Sequence, residues 1–335
     1  MKPGYLAIVI VLLLPIIFLL YLSLIMGQKP LYFPKLIANS LIHRQSVDQA
    51  RFNLMVLGLD PRDDILEQTL TTDTIILVSL NLKKYQLTTI SLPRDLWDYS
   101  LKQKINQIYP QAVKDYSPNI YPFLQGQYQR FLGQPIDRTL IVTTQNLKEL
   151  IALVGGVTVY LDQGFRDSQY PHPDYINHLQ GDAPVYKTVE FQSGWVHLDS
   201  NNILEFIRSR KGGQTLAEGG TDLARVHRQQ IFLQALFRQI CRPQFILRAG
   251  KLQRLYQIFH QSLQSNLSDS DLLNLLLRLN WHIFKITFSR IEIPVSTDSH
   301  LTPIYDPQKL YYRQWVFLPS DENYTQLRHF INSRL

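Results

Sequence analysis

Charged residues of the kinds that handle phosphate gather at a few places in this sequence. Asp60 and Arg62 lie in GLDPRD, Asp73 in TTDT, and Arg94 with Asp95 in SLPRD. Each group abuts an apolar run, so the Asp60 and Asp73 carboxylates fall at the ends of neighbouring strands. There they are suited to share one hard cation such as Mg2+, which takes one or two protein carboxylates and completes its shell with water and phosphate oxygens. The same residues also fit a plainer arrangement in which Asp60 opens an Asp-Pro turn, Asp73 caps a strand and Arg94 serves as a structural ion-pair partner. A second group lies in FIRSRKGGQTLAEGGTDLARVHRQQIFLQALF. Its arginines Arg208, Arg210, Arg225 and Arg228 are spaced to clamp a diphosphate, for which the planar two-pronged guanidinium is better matched than Lys. The alternative is a solvated basic helix face.

These side chains need elements to position them. FNLMVLG (Phe52–Gly58) and TIILVSL (Thr74–Leu80) are continuous β-branched and Leu runs, as expected of strands buried on both faces, while QLTTISL (Gln86–Leu92) alternates. Asn81 to Lys84 supplies a turn between the last two. TLIVTT (Thr139–Thr144), a helical NLKELIALV ending at Gly155-Gly156, and VTVYL (Val157–Leu161) give strand, helix and strand, which is an α/β pattern. In such folds ligands gather at strand ends. Asp222 through Phe237 reads as a helix capped by Thr221 or Asp222. Asp222, Arg225, Gln229, Phe232 and Leu236 recur at steps of three and four and share one face. A charged stripe that runs on into Phe232 and Leu236 points inward, its first turns meeting something polar and anionic, because an unpaired buried charge is costly. Gly212 to Gly220 reads as a loop.

Composition narrows the classes. The 335 residues are 45% hydrophobic and 18% charged, which excludes a wholly disordered chain. A net charge of +7 is compatible with phosphate, nucleic acid or anionic lipid. The single Cys241 rules out an intrachain disulfide, a Cys-rich zinc site and a CxxC redox pair. Nucleotide-binding GxxxxGK[ST], nucleophile-elbow GxSxG and metalloprotease HExxH motifs are absent, and YPHPDYINH (Tyr170–His178) reads as a surface loop. Basic residues interleave with acids at strand ends, against a nucleic-acid partner. The 22 positions from Tyr5 to Met26 carry no charge and read as a transmembrane helix; the competing reading, a cleavable signal peptide, calls for a shorter apolar region and an A-x-A-like site that does not follow here. Positive residues flank the span on both sides, so charge counting does not set its orientation.

Taken in order, VLGLDPRD, TTDTIILVSLN, TTISLPRDLW, KINQIYPQA, the GGV turn, the LDSNNILEFIRSR segment and DLARVHRQQ resemble the LytR-CpsA-Psr family of cell-envelope proteins. The resemblance implies a three-layer α-β-α domain with a central mixed sheet, outside the cytoplasmic membrane and preceded by one N-terminal transmembrane helix. The implied division is an anchor at 1–27, a linker at 28–50, a catalytic core at 51–240 and a C-terminal continuation at 241–335. It implies a phosphotransferase that moves a glycopolymer with its linking phosphate from a polyprenyl-pyrophosphate carrier onto peptidoglycan. By motif match Asp60 and Asp73 would take Mg2+ or Mn2+, and Arg94, Arg208, Arg210, Arg225 and Gln229 would contact the diphosphate, with Arg62 and Lys104 in support. Asp95 or Asp222 would orient arginines, and Asp222 would also help to activate the acceptor. The alternative is a lipid-pyrophosphate-binding regulator without turnover. The chain departs from the family pattern at Thr71, commonly Arg, at Asn106, often His, and in a longer loop from Lys211 to Gly220.

Overall fold

The computed structural model describes residues 26–27, 50–59, 70–172, 185–210 and 222–335. The apolar runs at the start of this range become β1 (Arg51–Leu59), β2 (Thr72–Asn81) and β3 (Gln86–Ser91). They pair antiparallel in sequence order. The turn after β2 forms because Asn81 Oδ1 accepts the backbone N–H of Lys83 and of Lys84, at 3.0 and 2.9 Å. Next come helices α1 (Ile108–Tyr116) and α2 (Tyr121–Leu132). Strand β4 (Arg138–Thr143) then lies parallel to β1. Helix α3 (Thr144–Val154) starts on a Thr143–Asn146 capping box and stops at left-handed Gly155, φ 81°.

Four strands follow in two ribbons: β5 (Val157–Leu161) pairs with β8 (Gly194–Leu198), and β6 (Phe165–Pro171) with β7 (Tyr186–Phe191). Helices α4 (Ile203–Arg208), α5 (Asp222–Ile240), α6 (Ala249–Gln257) and α7 (Asp269–Leu279) complete this half. The segment beyond residue 240 returns to the main sheet, adding β9 (Gln264–Ser265) beside β4 and β10 (Thr287–Ile291) parallel to β3. The sheet order is therefore β9-β4-β1-β2-β3-β10, a mixed sheet. A last helix, α8 (Thr325–Asn332), closes the chain.

Alternation along the central strands sorts their side chains onto two faces. Met55, Leu57, Ile75 and Leu77 face a core shared with Leu124 and Phe131 of α2 and Leu327 of α8. Val56, Ile76 and Val78 face the other way, against Leu233 and Phe237 of α5 and Leu275 and Leu279 of α7. The sheet is thus sandwiched between helical layers, a three-layer α-β-α arrangement. Apart from Met26 the apolar run from Tyr5 lies outside the described residues, among which no helix is long and apolar enough to cross a membrane.

Candidate functional site

Strand directions bring the sequence-predicted residues to one edge of the sheet. Strand β1 ends at Leu59, paired with Thr72 at the start of β2, and β3 ends at Ser91, paired with Ile76. Asp73, on the second residue of β2, and Arg94 with Asp95, just past β3, therefore share one end. Gly58 is required here by close approach, since a Cβ on it would stand 2.8 Å from Thr74 Cβ. Asp60 and Arg62, which follow β1 in sequence, and the side chain of Asp222 lie outside the described residues.

Asp73 is the centre of the cluster. Arg94 Nη1 donates to its Oδ1 at 2.5 Å, and Arg210 Nη2 and Arg225 Nη1 each stand 3.9 Å from its Oδ2. Burial on its own raises a carboxyl pKa, but Arg94, Arg225 and Arg210 outweigh it and hold the Asp73 carboxyl below its ordinary value, so Asp73 is an anion. Arg94 also reaches Asp95 Oδ2 through Nε at 3.3 Å, and Asp95 Oδ1 accepts from Lys104 Nζ at 2.7 Å. Asp95 is itself buried, and its carbonyl accepts the Phe317 N–H at 3.0 Å, which moors this loop to the C-terminal segment.

The helical group arrives from the opposite layer. Arg225 is 1% exposed and Gln229 7%, on the inward face of α5 with Phe232 and Leu236, which are also buried. Gln229 Nε2 donates to Ile207 O at 3.3 Å. Arg208 ends α4, and the backbone N–H of Arg210 is held by Asp167 Oδ2 at 2.9 Å. Asp167, buried on β6, gave no sign in the sequence, because its pairing with Arg210 spans 43 positions and depends on how the β6–β7 ribbon packs on α4.

Arg228 takes a different place from the diphosphate clamp considered for it. Its Nε donates to Phe206 O at 2.9 Å, its Nη2 donates to Ser209 O, and its guanidinium stacks over the Phe165 ring at 4.2 Å. Helix ends leave carbonyls without partners, and Arg228 satisfies those at the end of α4. Burial and the neighbouring Arg225 push its pKa down to about 10.

Behind the charged cluster lies a cavity of about 520 Å3. Asp73, Arg208, Arg225 and Gln229 contribute to its lining, whose remainder is almost wholly apolar: Val56 and Ile76 from the sheet, Phe232 and Leu236 from α5, Leu255 from α6, Leu275 from α7. Among the described residues the polar end has Arg94, Lys104, Arg208, Arg210 and Arg225 against Asp73 and Asp95, an excess of positive charge. The arrangement can hold an amphiphile, an anionic group among the arginines and an apolar chain between sheet and helices. Among the described residues no three His, Cys, Asp or Glu side chains converge. Among the described residues Asp73 is a hard oxygen donor that a metal here would use, and such a site suits Mg2+, which commonly takes few protein ligands beside phosphate and water.

Fold and site together define a three-layer α/β domain built around an apolar cavity with an arginine-rich mouth. The LytR_cpsA_psr family model matches residues 36–314, and the chain belongs to this family. It is 27% identical over 286 residues to the Polyisoprenyl-teichoic acid--peptidoglycan teichoic acid transferase TagU of Oceanobacillus iheyensis, covering 84% of this chain and 76% of that protein. A protein of the same name from Bacillus cereus is 25% identical over 191 residues, 56% of this chain and 52% of its own length. The crystal structure of B. subtilis TagV superposes with a TM-score of 0.58 at 21% identity, covering 86% of this chain and 98% of that one. A structure of TagT bound to LIIa-WTA gives 0.55 at 18% identity, covering 86% and 91%. At these identities the structural matches speak for the fold.

Proposed function

We propose that this chain is a phosphotransferase of the cell envelope, which moves a glycopolymer with its linking phosphate from a polyprenyl-pyrophosphate carrier to a hydroxyl of peptidoglycan. The observation that carries this reading is the Asp73 carboxylate, ringed by Arg94, Arg210 and Arg225 at the mouth of an apolar cavity. A lipid diphosphate has the matching shape, a charged head and a long apolar tail. The names of the relatives, transferases that join teichoic acid to peptidoglycan, agree with it.

In the transfer, the acceptor oxygen bonds to the phosphorus that carries the glycan, the bond from that phosphorus to the bridging oxygen breaks, and polyprenyl phosphate leaves. The acceptor hydroxyl gives up its proton to a base, the role we assign to Asp222, while Asp95 orients Arg94. Phosphoryl transfer asks little of a protein beyond positioning and charge neutralisation, so arginines and carboxylates suffice without a Cys or a catalytic triad. In this reading Arg94, Arg208, Arg210, Arg225 and Gln229 bind the diphosphate, with Arg62 and Lys104 in support. Asp60 and Asp73 would hold Mg2+ or Mn2+, which when bound would neutralise phosphate charge. Residues 1–27 anchor the chain in the cytoplasmic membrane as a single span, with the domain on its outer side.

The test incubates the purified full chain with a polyprenyl-pyrophosphoryl glycan, peptidoglycan and Mg2+. Covalent attachment of glycan, lost in Asp73→Ala and Arg94→Ala, is the expected result. Tight lipid binding without attachment would replace the enzyme with a lipid-binding regulator.

A further inference from the structure

Between Leu223 and Ser268 the sequence has no Asp or Glu but seven Lys and Arg. Arg225 and Arg228 are buried at the site already described. The other five, Arg238, Arg242, Arg248, Lys251 and Arg254, lie at the end of α5, on the short helix-bearing link that follows it and on α6. No ion pair among the described residues engages any of them. Acids from the neighbouring elements do not neutralise this surface. Helix α3, packed against α6, brings one Lys148 beside one Glu149. Asp269, the first acid beyond the run, is engaged by Tyr256 Oη at 3.1 Å and His260 Nε2 at 3.0 Å.

Three of these cations share a cleft of about 360 Å3 with Phe245: Arg242, Arg248 and Lys251 line it, and Lys251 Nζ lies 5.6 Å from the Phe245 ring centre. Leu247, between them in sequence, is 75% exposed. The same segment has a second side. Ile246, Leu252, Leu255 and Tyr256 contribute to the wall of the apolar cavity. Met26, the last residue of the uncharged N-terminal run, also lines that cavity.

We infer that residues 242–256 form a docking surface for the anionic face of a phospholipid bilayer, with lipid phosphates in the Arg242–Arg248–Lys251 cleft and Leu247 set among the head groups. A cationic rim with one exposed leucine is the chemistry that recognises such a surface. Continuity with the cavity gives the docking a purpose, because it sets the cavity wall against the bilayer from which an apolar chain would come. The inference rests on the proposed use of a membrane lipid.

The experiment places the full chain in nanodiscs of phosphatidylcholine alone or mixed with phosphatidylglycerol and follows amide hydrogen exchange by mass spectrometry. Exchange across 242–256 is expected to slow about fivefold or more in the anionic discs, since each cation near such a surface shifts the contact by about that factor. The combined R242Q, R248Q and K251Q variant is expected to lose the slowing while β1 and β2 keep their protection, which shows the fold intact. Equal exchange in both discs, or slowing that survives the triple variant, overturns the inference. So does equal protection in phosphatidylcholine discs by soluble poly(glycerol phosphate), which would assign the cleft to a polymer. The glycan-attachment assay reports separately on the proposed function: no attachment beside intact anionic protection removes the transferase reading and leaves the docking surface standing.

Discussion

Arg94 holds two carboxylates at once, Asp73 through Nη1 and Asp95 through Nε. A lysine has one nitrogen and cannot reproduce that fork. Arg94→Lys is therefore expected to lower kcat/KM of glycan transfer about 100-fold, the scale for removing one donor from developing negative charge, with kinetics on the full chain as the check. Asp73 supplies a pH prediction. Its folded pKa lies below the ordinary carboxylate value, so its stabilising contribution is present above about pH 4 and is lost as pH falls through the folded value. Urea unfolding of the wild type should weaken over that acid range, and Asp73→Asn should flatten this part of the profile. At neutral pH the same substitution is expected to cost about 1–3 kcal/mol, because the largely buried Arg225 guanidinium then faces an amide in place of a carboxylate.

The two elements that carry most of the site show how differently its residues are held. On α5, Arg225 and Gln229 share an inward face with Phe232 and Leu236, and that face follows directly from helical spacing. Arg228, three residues on from Arg225, turns to the end of α4 and satisfies two of its carbonyls. Arg228→Leu should destabilise the fold by about 2–4 kcal/mol in urea unfolding, since both carbonyls lose a charged donor. It should also weaken inorganic pyrophosphate binding by calorimetry, because α4 delivers Arg208 and Arg210. Strand β1 makes a comparable demand at Gly58. An added Cβ would press on Thr74, next to Asp73, and Gly58→Ala is expected to cost about 1–3 kcal/mol in thermal unfolding.

At the scale of the molecule, the cavity separates two contributions to ligand binding. Its mouth neutralises charge and its depth takes apolar surface out of water, at about 25 cal/mol per Å2 buried. Leu54, half-buried on β1 and four residues before Gly58, lines the cavity on the row of Val78. Leu54→Trp should shrink the apolar part and reduce retention of polyprenyl phosphate, read by native mass spectrometry, while inorganic pyrophosphate still binds. Equal loss of both ligands would show that head and tail are not held separately.

Much of this molecule was legible in its residues. Uninterrupted apolar runs marked β1 and β2, because a strand covered by helices on both faces has no solvent side to encode. The Gly155-Gly156 pair marked the end of α3, where only a left-handed residue fits without strain. Helical periodicity set the inward face of α5, and the ordered motifs indicated the family. Local pattern did not reach further. Helices α1 and α2 contain Pro110, Pro122 and Gly126, which interrupt the local helical signal, and the short edge strands β9 and β10 are defined by the partners they pair with. The role of Asp167 toward Arg210, the diversion of Arg228 to α4, the mooring of Asp95 by Phe317 and the joint use of residues 246–256 by two surfaces all depend on contacts between segments distant in the chain. The sequence alone determined the elements with a strong local pattern, β1 to β5, α3 and α5, and the face that α5 turns inward; the tertiary structure decided the remaining elements and which side chains meet, because register and layer packing fix distances that no local spacing encodes.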